Sequence, residues 1–153
     1  MASIKKILCA VDFAEFSPQV ADYANTLANA FQGEIHVLYI VPSMSQYVGL
    51  QVAPSSIESF VGEIISGAEE TMNQFIQDHF SEVSVQGKVI TGYAAEEILR
   101  YAEEQDMDLI VMGTHGRKGI DRILFGPVAE RVVKSSTTPV LTLRPKQSEP
   151  SRH

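Results

Sequence analysis

Four glycines, at positions 113, 116, 119 and 126, punctuate one basic loop in which Arg117, Lys118 and Arg122 face a single acid, Asp121. Glycine leaves no side chain between backbone and ligand and accepts positive φ, so successive amides can close on phosphate oxygens. The unbroken apolar run ahead of the loop, Leu109 to Met112, reads as a buried parallel strand, and Gly126-Pro127 opens a helical pattern behind it. Strand, glycine-rich turn and helix start together make an anion site, because the first amides of a helix lack partners and the dipole is positive there. The loop's positive balance stands against a formal net charge of -7 for the whole chain. The chemistry implied is phosphate binding by backbone amides. A surface loop whose glycines only make turns is the competing reading.

Other nucleotide fingerprints do not fit. There is no G-x-x-x-x-G-K-[ST], and G-x-G-x-x-G is excluded because the glycine after Gly113 is Gly116. What stands here is Gly113-x-x-Gly116, nine residues, then Gly126. On these residues the chain resembles the universal stress protein family, whose nucleotide-binding branch carries G-x-x-G, nine residues and then G-[ST]. It departs at the last position, which is Pro127.

The resemblance covers nearly all of residues 4–143 and implies a set of nucleotide-binding positions. Ala10, Val11 and Asp12 at the end of a first strand, with Ile40 or Val41 at the end of a second, would hold adenine and ribose. Met112 and Gly113 lead into the phosphate loop. Gly113, Gly116, Gly126 and Val128 match phosphate-contacting backbone positions, Pro127 takes the place of the usual hydroxyl residue, and Thr114 and His115 match the ribose and phosphate loop. Arg117 and Lys118 would steer phosphates by charge without touching them. The implied ligand is ATP, ADP or AMP, with Mg²⁺ as a companion ion, and the implied assembly is a homodimer through the strand from Pro139 to Leu143. A proline supplies neither hydroxyl nor amide to a phosphate, which keeps a second reading open: a dimeric adaptor of the same family that binds no nucleotide.

Catalysis has little to stand on. His36, His79, His115 and His153 are scattered without metal-ligand spacing, and there is no cysteine pair. Ser17, His115 and Asp12 invite comparison with a triad, but Ser17 followed by Pro18 reads as a helix cap and first turn. Asp12 itself suits either a purine edge or a simple turn after a strand. Any hydrolysis of ATP is therefore expected to be slow.

The elements that must position these residues follow from apolar periodicity. Strands are expected over 4–11, 34–41, 84–91, 109–112 and 139–143, alternating with helices after Ser17, after Ser55 or Ser56, after Gly92 and after Gly126-Pro127. Gly33 is expected to end the first helix, and an apolar stripe from Ile57 to Phe80 to face the core. Glu96, Glu97, Glu103 and Glu104 read as a solvated face. This is a three-layer α/β/α domain spanning 1–145 with a five-stranded parallel sheet; right-handed crossovers follow from the alternation, and the order 3-2-1-4-5 from the resemblance. In that order strands 1 and 4 are neighbours whose connections diverge, which opens a crevice at their carboxyl ends.

At 153 residues the chain suits one domain with a substantial core, and 44% hydrophobic with 20% charged residues is ordinary for a globular protein. An acidic balance argues against nucleic acid and anionic membranes as partners. Cys9 is the only cysteine, and the apolar segment near the N-terminus stops at Asp12, too early for a signal peptide. A cytoplasmic protein with a disordered tail over 146–153 is the expectation.

Overall fold

The computed structural model describes residues 2–42, 54–114 and 126–145, with the backbone alone for 54–58. The tail and most of the glycine loop, including His115, Gly116, Arg117, Lys118 and Arg122, lie outside the described residues. Strands β1 (Lys6–Ala10), β2 (Glu34–Pro42), β3 (Ser84–Gly92), β4 (Leu109–Gly113) and β5 (Val140–Leu143) alternate with helices α1 (Ser17–Phe31), α2 (Pro54–His79), α3 (Ala94–Glu104) and α4 (Gly126–Ser135). The five strands form one sheet in the order β3-β2-β1-β4-β5, and every neighbouring pair is parallel.

The central strand shows why the sequence folds this way. Side chains alternate across a strand, so Ile7, Cys9 and Val11 join the α1 and α2 side of the core while Leu8 and Ala10 join the α3 and α4 side. Ile7, Leu8 and Cys9 have no exposed surface, as an uninterrupted apolar run buried on both faces requires. Asp108 ties the amino end of this strand to the start of β4: its Oδ2 accepts the Lys5 amide at 2.9 Å and the Lys6 amide at 3.0 Å.

Four local expectations change. The left-handed residue ending α1 is Gln32 (φ 57°), not Gly33. Gly33 is needed for a different reason, since a Cβ there would lie 2.9 Å from the Lys5 carbonyl oxygen. Ser17 does not cap α1; the N-cap is Phe16 with no side-chain hydrogen bond, and Pro18 falls in the first turn. On α2, Val61, Ala68, Met72 and Phe75 are buried but Phe60 is 45% exposed. Glu96 and Glu97 are half-buried rather than fully solvated, paired with Arg131 at 3.0 Å and Arg100 at 2.8 Å.

Candidate functional site

Strand lengths create the site. Register pairs Ala10 with both Leu38 and Met112, so β1 ends there while β2 runs on through Tyr39, Ile40 and Val41 to Pro42. The projecting end of β2, the turn after β1, and the first turns of α3 and α4 enclose a cavity of about 360 Å³. Its walls are Ala10, Val11, Leu38, Ile40, Pro42, Ala94, Ile98 and Val128, with Asp12 and Tyr39 as its polar members. Apolar walls with few polar groups to fix orientation are the ordinary make-up of a small-molecule site.

Asp12 is held in place. Its Oδ1 accepts the Ala14 amide at 2.9 Å and the Ser17 hydroxyl at 3.1 Å, and Ser17 is itself buried. The turn-forming reading of Asp12 is thus realised by Oδ1, and among the described residues no donor is paired with Oδ2. Phe13 follows at φ 61°, a left-handed conformation that costs a non-glycine residue on the order of 1–3 kcal/mol. Its ring packs 4.6 Å from Tyr39 and 5.5 Å from Phe75, contacts that offset the cost. On the α2 side of Tyr39 lies a second, open hollow that shares Asp12 and includes Glu15, Ile64 and Thr71.

Of the residues expected at the site, the structure brings Ala10, Val11, Asp12, Ile40 and Val128 to one cavity. Between Ile40 and Val41 the pleat decides for Ile40; Val41 is fully buried and is not part of the wall. Met112 is likewise fully buried, packed in the α3 and α4 side of the core. Gly113 has a packing reason of its own, since a Cβ would come within 3.0 Å of the Phe16 ring. The Thr114 amide donates to the Leu143 carbonyl at 2.8 Å and its hydroxyl to the same oxygen at 3.2 Å, so both serve the joint between β4 and β5. Gly126 comes close to that joint, its Cβ direction meeting the Thr114 carbonyl oxygen at 3.6 Å. The two ends of the glycine loop therefore meet in space beside Val128, with Pro127 exposed in the first turn of α4. His115, Gly116 and Arg117 lie outside the described residues.

Sequence reasoning missed Leu38, Tyr39, Pro42, Ala94 and Ile98. Leu38 was within reach, two residues before Ile40 and on the same face of β2. Ala94 and Ile98, four apart on α3, needed the packing of that helix. Also missed was a buried polar cluster deeper along β2, where His36 Nδ1 lies 2.7 Å from the Tyr101 hydroxyl and Nε2 lies 3.1 Å from the Gln86 amide nitrogen.

This architecture has clear relatives. The universal stress protein family model matches residues 3–144. A universal stress protein of Methanocaldococcus jannaschii, MJ0531, is 35% identical over 147 residues, covering 95% of this chain and 85% of the relative. The solved structure of MJ0577 from the same organism superposes with a TM-score of 0.79 at 25% identity, covering 96% of this chain and all (100%) of that one. Two further structures share the fold: a universal stress protein in complex with cAMP (TM-score 0.67, 18% identity, covering 93% of this chain and 98% of that one) and one from Archaeoglobus fulgidus in complex with dAMP (0.59, 20%, 93% and 98%). With the family model spanning nearly the whole chain and the sheet order matching, the chain belongs to the universal stress protein family.

Proposed function

We propose that the protein holds an adenine nucleotide in the cavity at the carboxyl ends of β1 and β2 and acts as a regulatory, nucleotide-responsive protein of the stress response. The observation that carries this reading is the conjunction at one crevice of an apolar slot, a preorganised carboxylate and the joined ends of the glycine loop. A purine fits between Ile40, Ala94, Ile98 and Val128, and Asp12 Oδ2 is the acceptor for a ribose hydroxyl or exocyclic amine. Phosphates then run toward the start of α4 at Gly126, and the motif residues Gly116 and Arg117, outside the described residues, would add an amide and charge. The two relatives in complex with cAMP and dAMP support an adenylate as the class of ligand.

Mg²⁺ would arrive on the phosphates of ATP or ADP, with Asp12 as the carboxylate in the cavity lining. Hydrolysis is slow on this reading, because phosphoryl transfer depends on positioned cations and an oriented nucleophile. The assembly is a homodimer through β5, an edge strand whose Val140, Leu141 and Leu143 are only half-buried within one chain.

The test is to denature freshly purified protein and identify the released nucleotide by chromatography, then titrate stripped protein with AMP, ADP and ATP. An adenine nucleotide near one per chain supports the reading. A clean supernatant with no shift in melting temperature under excess nucleotide favours the second reading, a dimeric adaptor, for which the observation is Pro127 in the first turn of α4 with no amide to give.

A further inference from the structure

Side chains alternate along the projecting end of β2, so Ile40 faces the cavity while Tyr39 faces the α1 and α2 side of the sheet. There Tyr39 lines an open hollow of about 620 Å³, within the size range of small-molecule sites. Helix α2 forms its far wall. Ile64, Ala68 and Thr71 are spaced by four and three residues and so share one face of that helix. Ala68 stands between the larger Ile64 and Met72 on the same stripe, and its single methyl group leaves the space open. The turn after β1 closes the hollow with the apolar Phe13 and Ala14 and with two carboxylates, Asp12 and Glu15. Asp12 is fixed by the Ala14 amide and the Ser17 hydroxyl, both on Oδ1. Glu15 and Thr71 are exposed, and among the described residues neither side chain has a hydrogen-bond or ion-pair partner. None of the lining residues is basic.

Carboxylates and hydroxyls set in an apolar lining suit a ligand that brings donors and positive charge on an apolar body; a phosphate would meet two like charges instead. We infer that the hollow is a second binding site, taking a small aliphatic ammonium compound whose nitrogen is held by Asp12 and Glu15 and whose chain lies against Phe13, Ile64 and Ala68. Charge-assisted hydrogen bonds to the two carboxylates fix the nitrogen, and the Thr71 hydroxyl is a further acceptor. The apolar lining separates this from diffuse attraction of cations to an acidic surface, because it gives the methylene chain a place out of water. Asp12 lines the hollow and the nucleotide cavity alike. An ammonium group beside it offsets the negative charge that it presents to a phosphate, so each ligand raises the affinity for the other. The site itself stands apart from the function proposed above; the coupling rests on it.

The probe is putrescine, titrated calorimetrically near neutral pH at fixed ionic strength, with the uncharged diol of the same chain length as its counterpart. Wild type should bind about one putrescine per chain and no diol. Glu15→Gln should weaken binding by about fivefold or more, whereas Glu103→Gln, an equal loss of charge exposed on α3 across the sheet, should leave it unchanged. Thr71→Trp fills the hollow from an exposed helix position and should abolish binding with the melting temperature kept. The two glutamate variants, both at exposed positions, keep the comparison if Thr71→Trp does not fold. Absence of saturable binding in the wild type overturns the inference, and so does equal weakening by the two glutamate variants, which is the mark of diffuse attraction. Binding unaltered in a folded Thr71→Trp places putrescine elsewhere and overturns it too. With AMP at saturation, putrescine should bind about twofold tighter or better, and equal affinity with and without AMP overturns the coupling. If putrescine binds in this pattern while AMP binds neither with nor without it, the hollow stands and the nucleotide reading is the part that falls.

Discussion

Replacing Ser17 by alanine separates the role read from sequence from the role seen in the fold. As a helix cap, Ser17 would act on α1 alone. In the structure its hydroxyl instead donates to Asp12 Oδ1 at 3.1 Å, alongside the Ala14 amide at 2.9 Å. A hydrogen bond to a charged acceptor contributes roughly 1.5–3 kcal/mol. Asp12 is only part-buried and can recruit water when the serine is gone, so the cost of Ser17→Ala is at the low end, about 1.5 kcal/mol. For a domain of this size that lowers the melting temperature by about 3–6 °C. The carboxylate also loses one of two contacts that fix its rotamer. Freezing it again on binding costs about 0.5–1.5 kcal/mol, which weakens adenine-nucleotide affinity roughly two- to tenfold. Urea denaturation of Ser17→Ala, Asp12→Ala and the double variant, with calorimetric titration of AMP into Ser17→Ala, measures both effects. The two substitutions should be coupled, the double variant costing clearly less than the sum of the singles. Strict additivity together with unchanged AMP affinity would refute the assignment and return Ser17 to the helix end.

Pro127→Ser should tighten ATP more than ADP or AMP, by about tenfold, since it restores a hydroxyl and an amide at the start of α4; if calorimetry shows no preference for ATP in the gain, phosphates do not reach position 127. Leu141→Lys should shift a β5-paired dimer toward monomer in sedimentation, and a dimer left unweakened by it would disprove pairing through that strand. Gly33→Ala should destabilise by about 1–3 kcal/mol in chemical denaturation, because its Cβ would meet the Lys5 backbone oxygen at 2.9 Å rather than a side chain that can swing away. Burial pushes the Cys9 thiol up to about 12, so a thiol reagent at mildly alkaline pH should label it only at the rate of unfolding, and fast labelling of native protein would contradict its place in the core.

The sequence by itself determined the elements and their faces. Apolar runs such as 7–11 and 109–112 record strands covered on both sides, and the turns between them record where helices begin, because burial acts on every residue of an element and leaves a period in the chain. Alternation of strand and helix fixed the α/β class, and one motif, with the family it resembles, brought the strand order and placed Ala10, Val11, Asp12, Ile40 and Val128 at the crevice now seen. Only the tertiary structure decided what each polar group does there. Whether Ser17 caps a helix or holds a carboxylate depends on the direction in which the chain turns at Phe13, where a left-handed φ has no sequence signal in a phenylalanine. Whether Ile40 or Val41 faces the cavity depends on the register of β2 against β1. The His36 cluster was invisible for a plainer reason: its partners lie 50 and 65 positions away in the chain, and periodicity reports the neighbours along an element, not the hydrogen bonds that close between distant ones.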